Sequence, residues 1–236
     1  MAPWLIVFFV AALALVAYWQ LVLAEGAYLG SRVVAFLYDI VAHRYNRIKR
    51  FNPEDDALFL ARPIIECLAA LPRPFVLDVA TGSGRLPLAL LSDPGFTGSI
   101  VAVDRARLML REAAQALRGY FPRVLLSRQE GTRLAFGDDR FAAVACLEAL
   151  EFMPDPQVGL AECVRVLEPG GILLVTRRTG PWARWMPGRT CSRDEFKARV
   201  QALGVWDVRI QAWTVDYDLV WGVKMAQWNE EERSSR

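Results

Sequence analysis

Hydrophobic and polar positions along the chain follow two regimes. Residues 3–24, PWLIVFFVAALALVAYWQLVLA, contain no Asp, Glu, Lys, Arg or His. As a helix they reach about 33 Å, enough to cross a bilayer core of about 30 Å. Twelve of them are Val, Ile, Leu or Phe. On an insertion scale these favour the membrane by at most about 5 kcal/mol together. Trp4 stands at one end and Tyr18 and Trp19 towards the other, as interfacial aromatics do. A cleaved leader would need a basic stretch before the apolar run and a small-x-small exit. Only Met1 and Ala2 precede Pro3, and the exit reads LVLAEGA. The pattern predicts a transmembrane anchor over residues 1–24.

From residue 25 the pattern turns periodic. Residues 27–50 predict a helix with Val33, Leu37, Ile40, Val41 and Ile48 on one side. Such a helix could lie on a membrane surface or cap the domain that follows, and periodicity leaves both open. Asn52-Pro53-Glu54-Asp55 signals the start of a helix over 53–71. Strands are then expected at 75–80, 99–104, 123–128, 140–147 and 170–178, with helices from 85, at 105–119 and at 155–168. A helix at 192–203 and strands at 206–213 and 216–226 complete the series. Strands separated by helices predict an α/β fold, a parallel sheet covered on both faces. The organisation expected is an anchor (1–24), a basic juxtamembrane or cap helix (25–50), the main domain (51–228) and a polar tail (229–236).

Composition narrows the function. With 54% hydrophobic and 23% charged residues the chain is not of the disordered class. Cys67, Cys146, Cys163 and Cys191 are too widely spaced for a disulfide scaffold or a CxxC zinc site. A single histidine, His43, excludes any centre needing two. The net charge of +2 argues against a nucleic-acid partner. Residues 25–50 carry five Lys/Arg against two acids, a net +3, so the rest of the chain is slightly acidic. Basic residues just after the span place the domain on the cytoplasmic side, where unpaired cysteines are at home.

Candidate chemistry begins at DVATGSG (78–84), between the first strand and the helix after it. Gly82 and Gly84 allow a sharp turn and close approach of a ligand to the backbone. Asp104 ends the second strand, 20 residues after Gly84, where an acid can take both ribose hydroxyls of a nucleoside. A dinucleotide loop would continue to a third glycine, but position 87 is Pro. Asp78 suits a cationic amino group better than a pyrophosphate. Tyr45 and Lys49 match Tyr-x-x-x-Lys, yet they precede the loop, and the match is read as chance.

VLDVATGSGR, VAVD, QEGTRLAFGDDRFAAVACLEALEFMPD and RVLEPGGILLVTRR, in this order and spacing, resemble successive motifs of the class I S-adenosylmethionine-dependent methyltransferases. The resemblance covers about residues 50–225. It implies a Rossmann-like seven-stranded mixed sheet whose last strand is antiparallel. It also implies that Asp78, Ala80, Thr81, Gly82, Ser83 and Gly84 hold the methionine part of S-adenosylmethionine. By position Asp104 would bind the ribose, Arg105 would lie beside the adenine, and Glu130, next to Gly131, would accept from the adenine amino group. Cys146 and Leu147 would stand beside the sulfonium. Ala80 replaces the family's first loop glycine, which is tolerable at negative φ, so slightly altered packing is expected.

Transfer needs acceptor, methyl and sulfur in line, with water excluded. Glu148 and Glu151 follow the fourth strand, where acceptors bind in this fold, and are the candidate catalytic acids. CLEALEFMPDP is similar to the ubiquinone-biosynthesis O-methyltransferases, whose Glu-x-x-Glu-His motif is linked to a divalent metal. Phe152 stands at the histidine position, so no metal site is assigned, although the two acids carry oxygens suited to a hard cation. His43 reads as a surface histidine, or as a base if the 27–50 helix folds back as a lid. The loop 180–192, with Trp182, Trp185 and Met186, could line an apolar acceptor site, touch lipid or simply pack. These features point to a membrane-anchored methyltransferase with a small, lipid-soluble acceptor. The alternatives are a methyltransferase-like domain that binds cofactor or a partner without catalysis, and a nicotinamide-dependent oxidoreductase, which Pro87 disfavours.

Overall fold

The computed structural model describes residues 3–49 and 51–226, so the expected polar tail lies outside the described residues. Helix α1 (Pro3–Tyr18) continues as a π-helical segment, Trp19–Leu23. Within these 21 residues an 18-residue stretch has a mean hydropathy of 2.4, and none of it is buried against the rest of the chain. They are long and apolar enough to cross a membrane.

The single helix expected over 27–50 is divided. Glu25, Gly26 and Gly30 have φ of 48°, 77° and 88°, which a helix interior does not accommodate. Helix α2 (Ser31–Val41) starts only after them, and a 3₁₀ turn (Ala42–Arg44) leads into α3 (Tyr45–Lys49). Next come α4 (Pro53–Asp56), capped by the Asn52 side chain, and α5 (Arg62–Leu68). Between them Ala57–Ala61 widens to π geometry, because Pro63 has no N–H for the Phe59 carbonyl.

The main domain runs β1 (Phe75–Val79), α6 (Arg85–Ser92), β2 (Ser99–Asp104), α7 (Arg107–Ala116), β3 (Val124–Arg128), β4 (Phe141–Cys146), α8 (Pro156–Val166) and β5 (Leu167–Arg178). It ends with α9 (Gly180–Ala183), α10 (Arg193–Ala202), β6 (Val205–Ala212) and β7 (Tyr217–Lys224). The sheet order is β3-β2-β1-β4-β5-β7-β6, with β7 antiparallel to both neighbours. Strand β5 starts before the expected Pro169-Gly170-Gly171 break. Leu167 pairs with Phe141, the register shifts, and Ile172 pairs with Ala143, so the glycines form an irregularity within the strand.

Residues of each strand alternate between two apolar layers. Leu77, Val101, Val144 and Leu173 face Leu160 of α8 and Phe196 of α10. Val76, Ile100, Ala143 and Leu174 face Ile64 of α5, Leu90 of α6 and Ala113 of α7. Each fully buried aliphatic side chain contributes about 1.5–3 kcal/mol. The sheet has strands on both sides of β1, so the connections leave β1 and β4 in opposite directions. In open α/β sheets the crevice at the carboxyl ends of such strands is where ligands bind.

Candidate active site

A cavity lies at that crevice. Ala80, Gly82, Asp104 and Glu130 form its sheet side, and Tyr38 of α2 and Tyr45 of α3 its roof. A second, smaller cavity adjoins it. That one is lined by Asp78, Thr81, Ser83 and Arg85, and shares Tyr45, Ala80, Gly82 and Glu148 with the first. The helical segment after the span therefore covers the site.

The glycine loop is fastened by backbone bonds. Thr81 N donates to Val103 O at 2.9 Å and Gly84 N to Thr81 O at 3.0 Å. Gly82 N donates to Asp104 Oδ2 at 2.8 Å, and Ala106 N to Asp104 Oδ1 at 2.7 Å. Gly84 serves packing: a Cβ there would stand 3.0 Å from Leu117 and 3.2 Å from Ala113 Cβ. Ala80 departs from expectation, because its φ is 58°. An L residue in this region is strained by about 1–2 kcal/mol, so the loop keeps the glycine conformation without the glycine.

Burial governs the two loop acids. It raises the Asp78 carboxyl from its ordinary 3.8 to about 7, opposed by the neighbouring Thr81. It raises Asp104 to about 6, against the backbone donors that favour its charge. Glu130 is ion-paired with Arg105, and both line the larger cavity with Gly131. A Cβ on Gly131 would meet Met153 Cε at 2.6 Å, so a side chain there would push the tip of Met153 out of its place in this wall.

Sequence position put Cys146 beside the reacting centre, but its side chain is fully buried in the layer facing α8. Its contact with Cys163, then burial, hold its thiol far above the usual range. The next residue, Leu147, lines the cavities instead.

The two candidate catalytic acids also part company. Glu148 lines both cavities, with its backbone at φ 52° and its N–H on Thr176 Oγ1 at 2.6 Å. Its carboxylate bridges Lys49 Nζ and Arg85 Nη1, each at 2.9 Å. Arg85 also binds Asp56, and its guanidinium lies 4.0 Å from the Phe51 ring centroid. Glu151 is buried away from the larger cavity. It accepts from Tyr217 Oη at 2.6 Å and lies 3.5 Å from Arg178 Nη1. Burial raises its carboxyl, opposed by Tyr217 and Arg178. Arg178 further contacts Glu25 at 3.6 Å, and Tyr38 Oη donates to the other Glu25 oxygen at 3.0 Å. A polar network thus joins the end of the span, the roof and the sheet.

Sequence reasoning passed over Tyr38, Tyr45, Lys49, Arg85 and Arg178. The spacing of Tyr45 and Lys49 was visible, since residues four apart share a helix face. Here that face carries the contact with Glu148. Phe152, at the missing histidine position, lines the cavity 6.0 Å from the Tyr38 ring. His43 is exposed and does not line the cavity. Met186 is buried with Ala27 and Phe152, while Trp182 and Trp185 are exposed. Among the described residues no group of three or more His, Cys, Asp or Glu is placed to hold a metal ion.

Comparison with known proteins agrees with this geometry. Residues 76–171 match a family model described as a methyltransferase domain. The chain is 33% identical over 151 residues to a demethylmenaquinone methyltransferase of Beutenbergia cavernae, covering 64% of this chain and 60% of that protein. It is 28% identical over 157 residues to the ubiquinone/menaquinone biosynthesis C-methyltransferase UbiE of Geobacter sulfurreducens, covering 66% and 61%. The chain thus spans about three-fifths of the length of these relatives. Among solved structures it is similar to the [4+2]-cyclase SpnF, with a TM-score of 0.67 at 19% identity over 84% of this chain and 97% of that one. It is also similar to phosphoethanolamine N-methyltransferase 2 of Haemonchus contortus, solved with phosphomonomethylethanolamine and S-adenosylhomocysteine. That TM-score is 0.59 at 15% identity, over 70% of this chain and 52% of that one. At these identities the structural likeness is one of fold. Residues 76–171 are thus similar to a methyltransferase domain, and the sheet has the Rossmann-like fold of the solved structures it resembles.

Proposed function

We propose that this chain is a membrane-anchored S-adenosylmethionine-dependent methyltransferase whose acceptor is a small lipid-soluble molecule of the quinol type. The observation that carries the reading is the pairing of two acids at the crevice, Asp104 in the larger cavity and buried Asp78 in the adjoining one. The names of the curated relatives support the acceptor class. The apolar segment 3–23 supports the anchor, and the basic residues after it support a cytoplasmic domain.

The residues fit the cofactor. Each Asp104 oxygen holds one backbone N–H and keeps a lone pair for a ribose hydroxyl. Asp78, poised near neutrality by burial, gains its charge most readily beside a cationic amino group. A Cβ on Gly82 would stand 4.0 Å from Tyr45, in the cleft a ligand would use. Glu130 and Arg105 would flank the base. When bound, S-adenosylmethionine supplies a methyl group already activated by its positively charged sulfur.

The chain then has to orient the acceptor and keep the site dry. Tyr38, Tyr45 and Phe152 do the second. Burial keeps the hydroxyls of Tyr38 and Tyr45 protonated, so they act through hydrogen bonds rather than as phenolate bases. Glu148 faces the cavity and is the carboxylate placed to receive an acceptor hydroxyl. Glu151 acts as a positioning residue, through Arg178.

Calorimetric titration of the full chain in nanodiscs with S-adenosylmethionine, and separately with NADH, tests the reading. Binding of the former at one site per chain, with no heat from the latter, is expected. NADH binding without S-adenosylmethionine binding overturns it.

A further inference from the structure

Helix α2 has two apolar faces. Val34, Ala35 and Tyr38 line the cavity. On the other side Arg32, Phe36 and Ile40 are exposed, at steps of four residues that make one stripe, and Leu29, just before the helix, is exposed as well. Phe36 is 64% exposed and Ile40 55%. Arg44 and Arg47, both exposed, extend the stripe towards α3. Large apolar side chains ranked between arginines are the composition of a helix lying in a membrane interface.

Two further observations say what covers this face. The first is continuity with the span. Residues 24–30, seven in all, join Leu23 to α2 and reach at most about 25 Å when extended. Here they are folded back: Ala24 N bonds Trp19 O and Gly26 N bonds Gln20 O. The stripe therefore begins beside the point where the apolar segment ends. The second is a neighbouring aromatic surface. Trp182 and Trp185 are exposed on either side of exposed Arg184. The end of the span is fastened to this loop, with Trp19 Nε1 donating to Trp185 O at 2.8 Å and Tyr28 Oη to Pro187 O at 2.7 Å. Trp beside Arg at the end of an apolar span matches the headgroup level of a bilayer.

We infer that the outer face of α2, with Trp182 and Trp185, lies in the interface of a bilayer bearing anionic lipid. Helix α2 is then a partition, with lipid on one side and the cavity on the other. The inference rests on reading 3–23 as a membrane span and adds to it that the roof of the site is itself a lipid contact. A lipid-soluble acceptor would reach the cavity past α2 without crossing bulk water.

Nitroxide accessibility in the full chain tests this. The chain is reconstituted in vesicles of phosphatidylcholine and phosphatidylglycerol. Labels are placed at Phe36→Cys or Ile40→Cys in a Cys67→Ser background. Leu13→Cys in the same background reports the span, and the exposed native Cys67 serves as the aqueous reference. Labels at 36 and 40 are expected to collide several-fold more with oxygen, relative to a nickel chelate, than the label at Cys67. Reversing Arg32, Arg44 or Arg47 to Glu should shift these labels towards water in anionic vesicles. Removing one cation near such a surface changes partitioning about fivefold. Labels at 36 and 40 as aqueous as Cys67, with Leu13 in lipid, overturn the inference and leave the anchor standing. An aqueous Leu13 overturns both. Labels at 36 and 40 shielded from both reagents with lipid absent would mean a protein surface covers the face, which also overturns it.

Discussion

The two walls of the cavity are held by different means. On the sheet side, Asp104 and the loop 80–84 are set by backbone bonds of 2.7–3.0 Å at the ends of paired strands. On the roof, α2 and α3 are tied down by side chains: Tyr38 to Glu25, Lys49 to Glu148, and Asp39 to the N–H of Leu108. The sheet-wall bonds join residues at most 22 positions apart and lie at the ends of paired strands. The roof joins residues 13 to 99 positions apart through bonds that can break one at a time. On the proposed function the sheet wall would bind the cofactor and the roof would govern acceptor access, and substitutions should separate the two.

The largest effect is expected at Asp104. If Asp104 takes the ribose as proposed, Asp104→Ala removes the acceptor for both hydroxyls and should weaken S-adenosylmethionine binding by about 3 kcal/mol, more than a hundredfold, in calorimetry. Asp78→Asn should come next, with opposite signs in two assays. The Asp78 pKa is raised on folding, so its contribution to stability is full below about pH 4 and lost as pH rises through about 7. The ligand-free Asn variant should therefore melt higher than the parent at pH 8, by about 1–3 kcal/mol of stability. Cofactor affinity of the parent should rise with pH through about 7 as Asp78 ionises. The variant should bind weakly with no such rise.

Roof substitutions should leave the cofactor Kd unchanged. Tyr38→Phe or Lys49→Met each removes one side-chain bond, about 1 kcal/mol, and should raise the acceptor KM about fivefold. An equal loss of cofactor affinity would erase the distinction between the walls. The smallest effect is expected at Ala80. Ala80→Gly relieves the strain at φ 58° and should stabilise the fold by about 0.5–1 kcal/mol, read as a Tm rise of a few degrees.

This division also explains what could be read from the sequence. The strands and the loop were legible because short apolar runs and a glycine turn are local signals. Cys146 was misplaced because position along a motif says which strand ends at the site, not which layer a side chain enters. Glu148 and Glu151 looked equivalent three residues apart. The turn Leu150–Phe152 sends Glu151 into a buried pair with Tyr217, 66 positions away. Ala80 looked tolerable because backbone conformation is set by the Thr81–Val103 and Gly82–Asp104 bonds, which no local pattern announces. The roof was least legible: its helix could be seen, but its contacts with Glu148 and Arg178 are made only in the folded chain.

Transfer of labelled methyl from S-adenosylmethionine by the full chain in vesicles tests the central claim most directly. The acceptors would be a prenylated hydroquinol in the bilayer and a tail-free hydroquinol in water. Label in the lipid extract, dependent on Asp104 and strongly favouring the prenylated acceptor, is the expected result. A chain that binds S-adenosylmethionine yet labels neither acceptor, or labels the water-soluble one equally well, would contradict the account.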